Sequence, residues 1–244
     1  MSNTEVINSI RDFLTGGTDI VTFRATFDSH PEIEAFLQSI VDNIKEAGKP
    51  LKKYRHTVGD REYESAGDLA ILLDPPADLH KYGNYEYSSV HNFLTYEKRM
   101  ITHDVETAAG ASGFYERVYS IYYQYDQSVP RTDKYFNNYS FSLKVIPEYL
   151  AGGEAEKYIS KHIIPLFPET MKETERKKAI KAKIREEFKT EKGRPCWVQS
   201  SEWPLGRDGR PATYLGKGKS SGDMRSWRFR DGSTGEIIVI EQYL

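Results

Sequence analysis

The chain has 244 residues, of which 38% are hydrophobic, 29% charged and 13% aromatic, with seventeen Tyr, one Cys and a net charge of −2. That length holds one large domain or two small ones and can bury a real core. The single Cys196 excludes an intrachain disulfide and a Cys-based zinc site; no run approaches the roughly 20 apolar residues of a membrane span, and Met1–Glu5 lacks the basic start of a secretory signal, so a soluble cytoplasmic protein is expected.

Val6, Ile10, Phe13 and Leu14 recur at helical spacing and Gly16-Gly17 ends the pattern, which predicts a first helix. A short turn around Val21, Phe23 and Phe27 follows. Pro31 then stands where a first helical residue belongs. Ile33, Phe36, Leu37, Ile40, Val41 and Ile44 form a core-facing stripe closed by Gly48, the clearest helix in the chain. From Leu51 to Asp74 the signal is mixed, and Leu69–Leu73 is an apolar run of either type stopped by Asp74-Pro75-Pro76. Lys81–Ser89 reads as loop, and helical patterns cover 88–107 and 112–126. In the latter, Phe114, Val118, Ile121, Tyr122 and Tyr125 share a face, although Tyr and Val also permit a strand over Arg117–Tyr125.

Tyr139–Val145 alternates and reads as extended. Thr170 and Glu173 have the spacing of a capping box, opening a helix to about Lys189 whose apolar stripe is only Ile180, Ile184 and Phe188. Ten Lys and Arg against five Glu over 172–194 leave that helix mostly solvated. Ala212–Leu215, Ser226–Arg230 and Glu236–Glu241 read as strands, the last two joined by a turn at Asp231–Gly235. The fold class expected is α+β: a mainly helical, Tyr-rich, acidic part over 1–169, a charged linking helix over 170–192 and a small antiparallel β module over 193–244.

No catalytic set emerges. Gly216-Lys217-Gly218-Lys219-Ser220 fails the phosphate-loop spacing, which needs Gly where Thr213 stands. The six His (30, 56, 80, 91, 103, 162) are isolated, and no G-x-S-x-G elbow occurs. Cys196 beside Trp197 reads as a small buried hydrophobe in a strand. No metal or cofactor is expected. The basic helix 172–194 near Trp197 and Trp203 could contact phosphates, but the interleaved Glu and a pI of about 6.3 argue against nucleic acid as the partner.

One stretch carries a resemblance. Gly193, Pro195, Trp197, Gln199, Glu202, Trp203 and Pro204, then Asp208, Gly209 and Pro211, then Trp227, Phe229, Asp231, Thr234, Gly235 and Glu236 form a pattern similar to the YwqG-like domains and related immunity-type domains of bacterial polymorphic toxin systems. Trp197, Gln199, Trp203, Pro204, Gly209 and Pro211 are its structural motif, with both Trp buried. The pattern departs after Leu215, where Gly-Lys-Gly-Lys replaces an apolar continuation. The resemblance implies a cytoplasmic immunity protein that neutralises a cognate toxin, a nuclease among the candidates, by stoichiometric binding without catalysis. The alternatives are an enzyme with a dispersed site and a nucleic-acid-associated adaptor using 172–194.

Charge adds a surface to that expectation. Residues 170–244 hold 17 Lys and Arg against 11 Asp and Glu, while 1–169 hold 17 against 25. A basic toxin would be steered to the acidic part, with Glu62, Glu64 and Asp68 as candidate contacts and Tyr54 and Tyr63 supplying contact area.

Overall fold

The computed structural model describes residues 1–58, 61–73 and 103–244. The expected loop over 81–89, most of the helix over 88–107, His80 and His91 lie outside the described residues. The class is α+β, and the chain divides into two units, Met1–Tyr139 and Ser140–Leu244.

In the first unit, α1 (Asn3–Thr15) begins at a complete capping box between Ser2 and Glu5 and ends at Gly16, whose φ of 88° is the left-handed conformation that favours Gly. The turn expected around Val21 is instead a helix, α2 (Ile20–Ser29). Asp19 caps it by accepting from the Val21 and Thr22 N–H groups at 3.0 and 3.1 Å, and Phe23 and Phe27, one turn apart, are buried. Helix α3 (Pro31–Ala47) buries Ile33, Leu37, Ile40 and Val41 as its stripe dictates.

Tyr54–Val58 (β1) and Arg61–Ser65 (β2) form an antiparallel hairpin that the polar sequence did not announce. Leu69–Leu73 resolves as helix, within α4 (Asp68–Leu73). Helix α5 (Ala108–Tyr125), capped by Thr107, buries Phe114, Tyr115, Val118, Tyr119, Ile121 and Tyr122. Burial at offsets 0, 1, 4, 5, 7 and 8 is helical, which removes the strand reading. Tyr125, expected on that face, is exposed. Phe13 stacks on Phe23 at 4.2 Å, and Phe114 meets Phe27 edge-on at 5.7 Å, so aromatic packing dominates this core.

Tyr139–Val145 is also helical, within α6 (Lys134–Val145). Tyr135, Ser142, Val145 and Ile146 are buried while Leu143 is 63% exposed, so offsets of 7, 10 and 11 override the apparent alternation.

In the second unit, a short helical run (α7, Gly153–Tyr158, continuing through Ile163) precedes α8 (Glu173–Glu187). The Thr170 capping box does not form. Met171 N–H closes a turn onto Pro168 O at 3.1 Å, which holds Thr170 outside the helix, and α8 starts after Lys172 with no side-chain cap. Ile180, Ile184 and Phe188 join Trp203, Tyr214, Trp227 and Phe229 in one core. The boundaries drawn at 169 and 192 therefore do not follow the packing: α8 belongs to the β module's core and is not a free linker.

Strands β3 (Thr213–Lys217), β4 (Met224–Arg230) and β5 (Ile237–Tyr243) form an antiparallel sheet in that order. A register shift between Tyr214 and Gly216, with Gly216 at φ 127°, carries β3 into the Gly-Lys stretch. The expected turn closes as Asp231 N–H donates to Glu236 O and Gly235 N–H to Asp231 O, both at 2.9 Å. Cys196 is exposed and outside any strand, contrary to its reading as a buried hydrophobe.

Candidate protein-binding surface

The hairpin's faces follow from its register. Tyr54, His56 and Val58 pair with Ser65, Tyr63 and Arg61, and Arg55 and Thr57 with Glu64 and Glu62. Directly opposed residues share a face, so Tyr63 lies with His56 and Tyr54, while Glu62 and Glu64 lie with Arg55 on the other side. The rings of Tyr63 and His56 stack at 5.8 Å, and those of His56 and Tyr54 are also 5.8 Å apart.

This ladder is anchored at one end. Tyr54 is buried, and its ring meets Tyr119 and Tyr123 edge-on at 4.9 and 5.2 Å. Its hydroxyl donates to Glu116, whose other oxygen accepts from Arg131 at 2.9 Å. Arg131 also pairs with Asp133. Burial, then the neighbouring Glu116 charge, pushes the Tyr54 hydroxyl well above the usual phenol range, so it stays a donor. A Cβ on Gly67 would overlap both the Tyr54 hydroxyl and Glu116, so only Gly permits this approach. Beside it, Arg117 Nε reaches Asp68 at 3.4 Å.

The five expected contact residues thus divide. Tyr54 is an anchor and not a contact surface, because its ring and hydroxyl are spent inside the unit. Asp68 serves mainly to hold Arg117, itself 4% exposed. Glu62, Tyr63 and Glu64 are exposed, and neither carboxylate has a cation within ion-pair distance among the described residues. Glu116 and Arg131 escaped the sequence reading. For Glu116 the one signal was the charged pair Glu116-Arg117 in a helix with no other charged residue, where charge is kept only if partnered; Arg131 gave none.

The motif residues of the second unit hold its loops together. Trp203 Nε1 donates to Ala212 O at 3.0 Å and Trp197 Nε1 to Tyr149 O at 2.9 Å. Trp203 is 1% exposed, whereas Trp197 is only partly buried, a correction to its expected burial. Gln199 Nε2 donates to Tyr243 O at 2.8 Å. Pro204 O accepts from Ala212 N–H at 3.1 Å, Pro211 bridges Leu205, and Gly209 turns the chain at φ 74°. Asp231 gathers the Arg207 and Ser233 N–H groups at 2.9 and 2.7 Å, and these donors hold its carboxyl well below the usual range. These roles concern packing and loop closure.

Among the described residues, no group of three or more His, Cys, Asp or Glu could hold a metal ion, and no helix is long and apolar enough to cross a membrane. No protein-family model, curated protein or solved structure matches the chain.

Proposed function

We propose that this protein is an immunity-type protein that neutralises a cognate toxin in the cytoplasm by direct stoichiometric binding, without catalysis. The observation that carries this reading is the hairpin: an exposed Tyr63 on one face and, on the other, two exposed carboxylates without ionic partners among the described residues, on strands whose other end is fixed by Tyr54, Glu116 and Arg131. An exposed aromatic ring and unpaired charge on the two faces of one preorganised element suit a protein partner more than a small substrate. The resemblance of the 193–236 pattern to immunity-type domains supports the same reading, although its residues act structurally.

The test is affinity capture of the full chain from its native host. It should recover a protein in one-to-one complex whose expression alone arrests growth, with growth restored by co-expressing this chain. Tyr63→Ala combined with Glu62→Lys and Glu64→Lys should abolish both the complex and the rescue while leaving the melting temperature unchanged. A partner that this triple variant still binds and neutralises would remove the hairpin from the interface.

A further inference from the structure

The charges of 172–194 interleave in sequence but sort on the folded surface. Glu173 is held by Lys177, and Glu186 and Glu187 both by Lys183 at 2.9 and 2.8 Å. Glu191 is held by Arg230 at 3.1 Å. Four of the five acids over 172–194 are thereby paired. Lys181 and Arg185, four apart, share one side of α8 and Lys189 follows just beyond the helix end; neither they nor Arg194 has a carboxylate partner among the described residues.

That row leads into a cavity of about 670 Å³. Arg185, Lys189, Arg194 and Arg230 line it together with Tyr149 and the buried Phe188. Its one acid, Glu191, is already neutralised by Arg230, which leaves three uncompensated cations around a concave, partly aromatic wall. Such a geometry focuses positive potential. Arg185 and Lys189 also offset the negative end of the α8 dipole, but Arg194 stands on a separate loop and has no such role. Its guanidinium lies 5.2 Å from the centre of the Tyr149 ring. A guanidinium held in place by an aromatic ring is preorganised for two-point recognition of a phosphate.

We infer that this cavity binds a small organic polyphosphate of the nucleoside-diphosphate class. A nucleoside diphosphate carries about −3 near neutral pH, one charge on its inner phosphate and up to two on its terminal phosphate, which matches the three free cations, and the volume lies within the range of small-molecule sites. Phosphate oxygens accept from Arg185, Lys189 and Arg194, and the organic part lies beside Tyr149, the partly exposed aromatic of the wall. The site is separate from the toxin-binding hairpin and does not depend on that reading.

Calorimetric titration of the full chain with ADP, pyrophosphate and a short oligothymidylate, at low and high salt, tests this. ADP should saturate one site per chain, bind more tightly than pyrophosphate, and weaken as salt rises. Arg185→Ala with Lys189→Ala, and separately Arg194→Ala, should each weaken ADP by roughly tenfold or more, the loss of charge-assisted hydrogen bonds. Lys217→Ala with Lys219→Ala, away from the cavity, should change nothing, and thermal melts of each variant should report an intact fold. Absence of ADP binding, or equal loss in the remote pair, overturns the proposal. So does tighter binding of the oligonucleotide than of ADP, which would assign the basic row to nucleic acid instead.

Discussion

Phe188 and Phe229 meet Trp203 edge-on at 5.5 and 5.1 Å, and its indole N–H is spent on Ala212 O. Trp203→Ala should therefore cost about 3–5 kcal/mol, the range for emptying a large aromatic site in a core. Trp197→Ala should cost clearly less, since that ring is only partly buried; urea midpoints of the two variants make the comparison. His103 is a second residue whose setting makes a prediction. Burial, then the charges of Arg117 and Arg24, push its imidazole from 6.5 down to about 4. Between those values the unfolded chain takes up a proton that the folded chain refuses, so unfolding is favoured as pH falls. The contribution is present in full above about pH 6.5 and is lost towards pH 4, an effect on the order of 3 kcal/mol. His103→Gln should flatten the stability profile across that window, and an unchanged slope would mean that His103 titrates normally in the folded chain.

At the scale of elements, the hairpin depends on its anchor. Tyr54→Phe keeps the ring contacts but withdraws the hydroxyl that Glu116 accepts, leaving a part-buried carboxylate with Arg131 alone. The expected cost is about 1–3 kcal/mol, and amide exchange should accelerate selectively over β1 and β2. Uniform acceleration across the first unit would show that the anchor serves the whole core. These elements also show what could be read in advance. Helices α1 and α3 were legible because an apolar stripe and a Gly stop agree within each segment, with a Pro start in α3. Helix α2 was missed because its decisive signal is the Asp19 side chain reaching back to two N–H groups. Helix α6 was misread because Tyr, Phe, Leu and Val at alternate positions mimic a strand, and only tertiary burial of Ser142 and Val145 reveals its period. The binding surface was half legible: exposed Glu62, Tyr63 and Glu64 could be named, but the anchor joins residues 62 and 15 positions apart, which no local pattern contains.

For the whole molecule, the division at Tyr139 leaves 14 Lys and Arg against 21 Asp and Glu over 1–139, and 20 against 15 over 140–244. The opposed signs fit the two binding assignments, a basic protein for the first unit and a polyphosphate for the second, and imply that ionic strength should weaken both. The hairpin assignment is the more consequential and is best tested by association kinetics. Once the partner is in hand, the association rate should be measured against salt for the wild type and for Glu62→Lys with Glu64→Lys. Charge reversal should slow association several-fold at low salt, and the two curves should converge as salt rises, because steering is screened while contact chemistry is not. Unchanged rates for that variant, with association lost on reversing Lys181, Arg185 and Lys189, would place the partner on the basic helix and contradict the account.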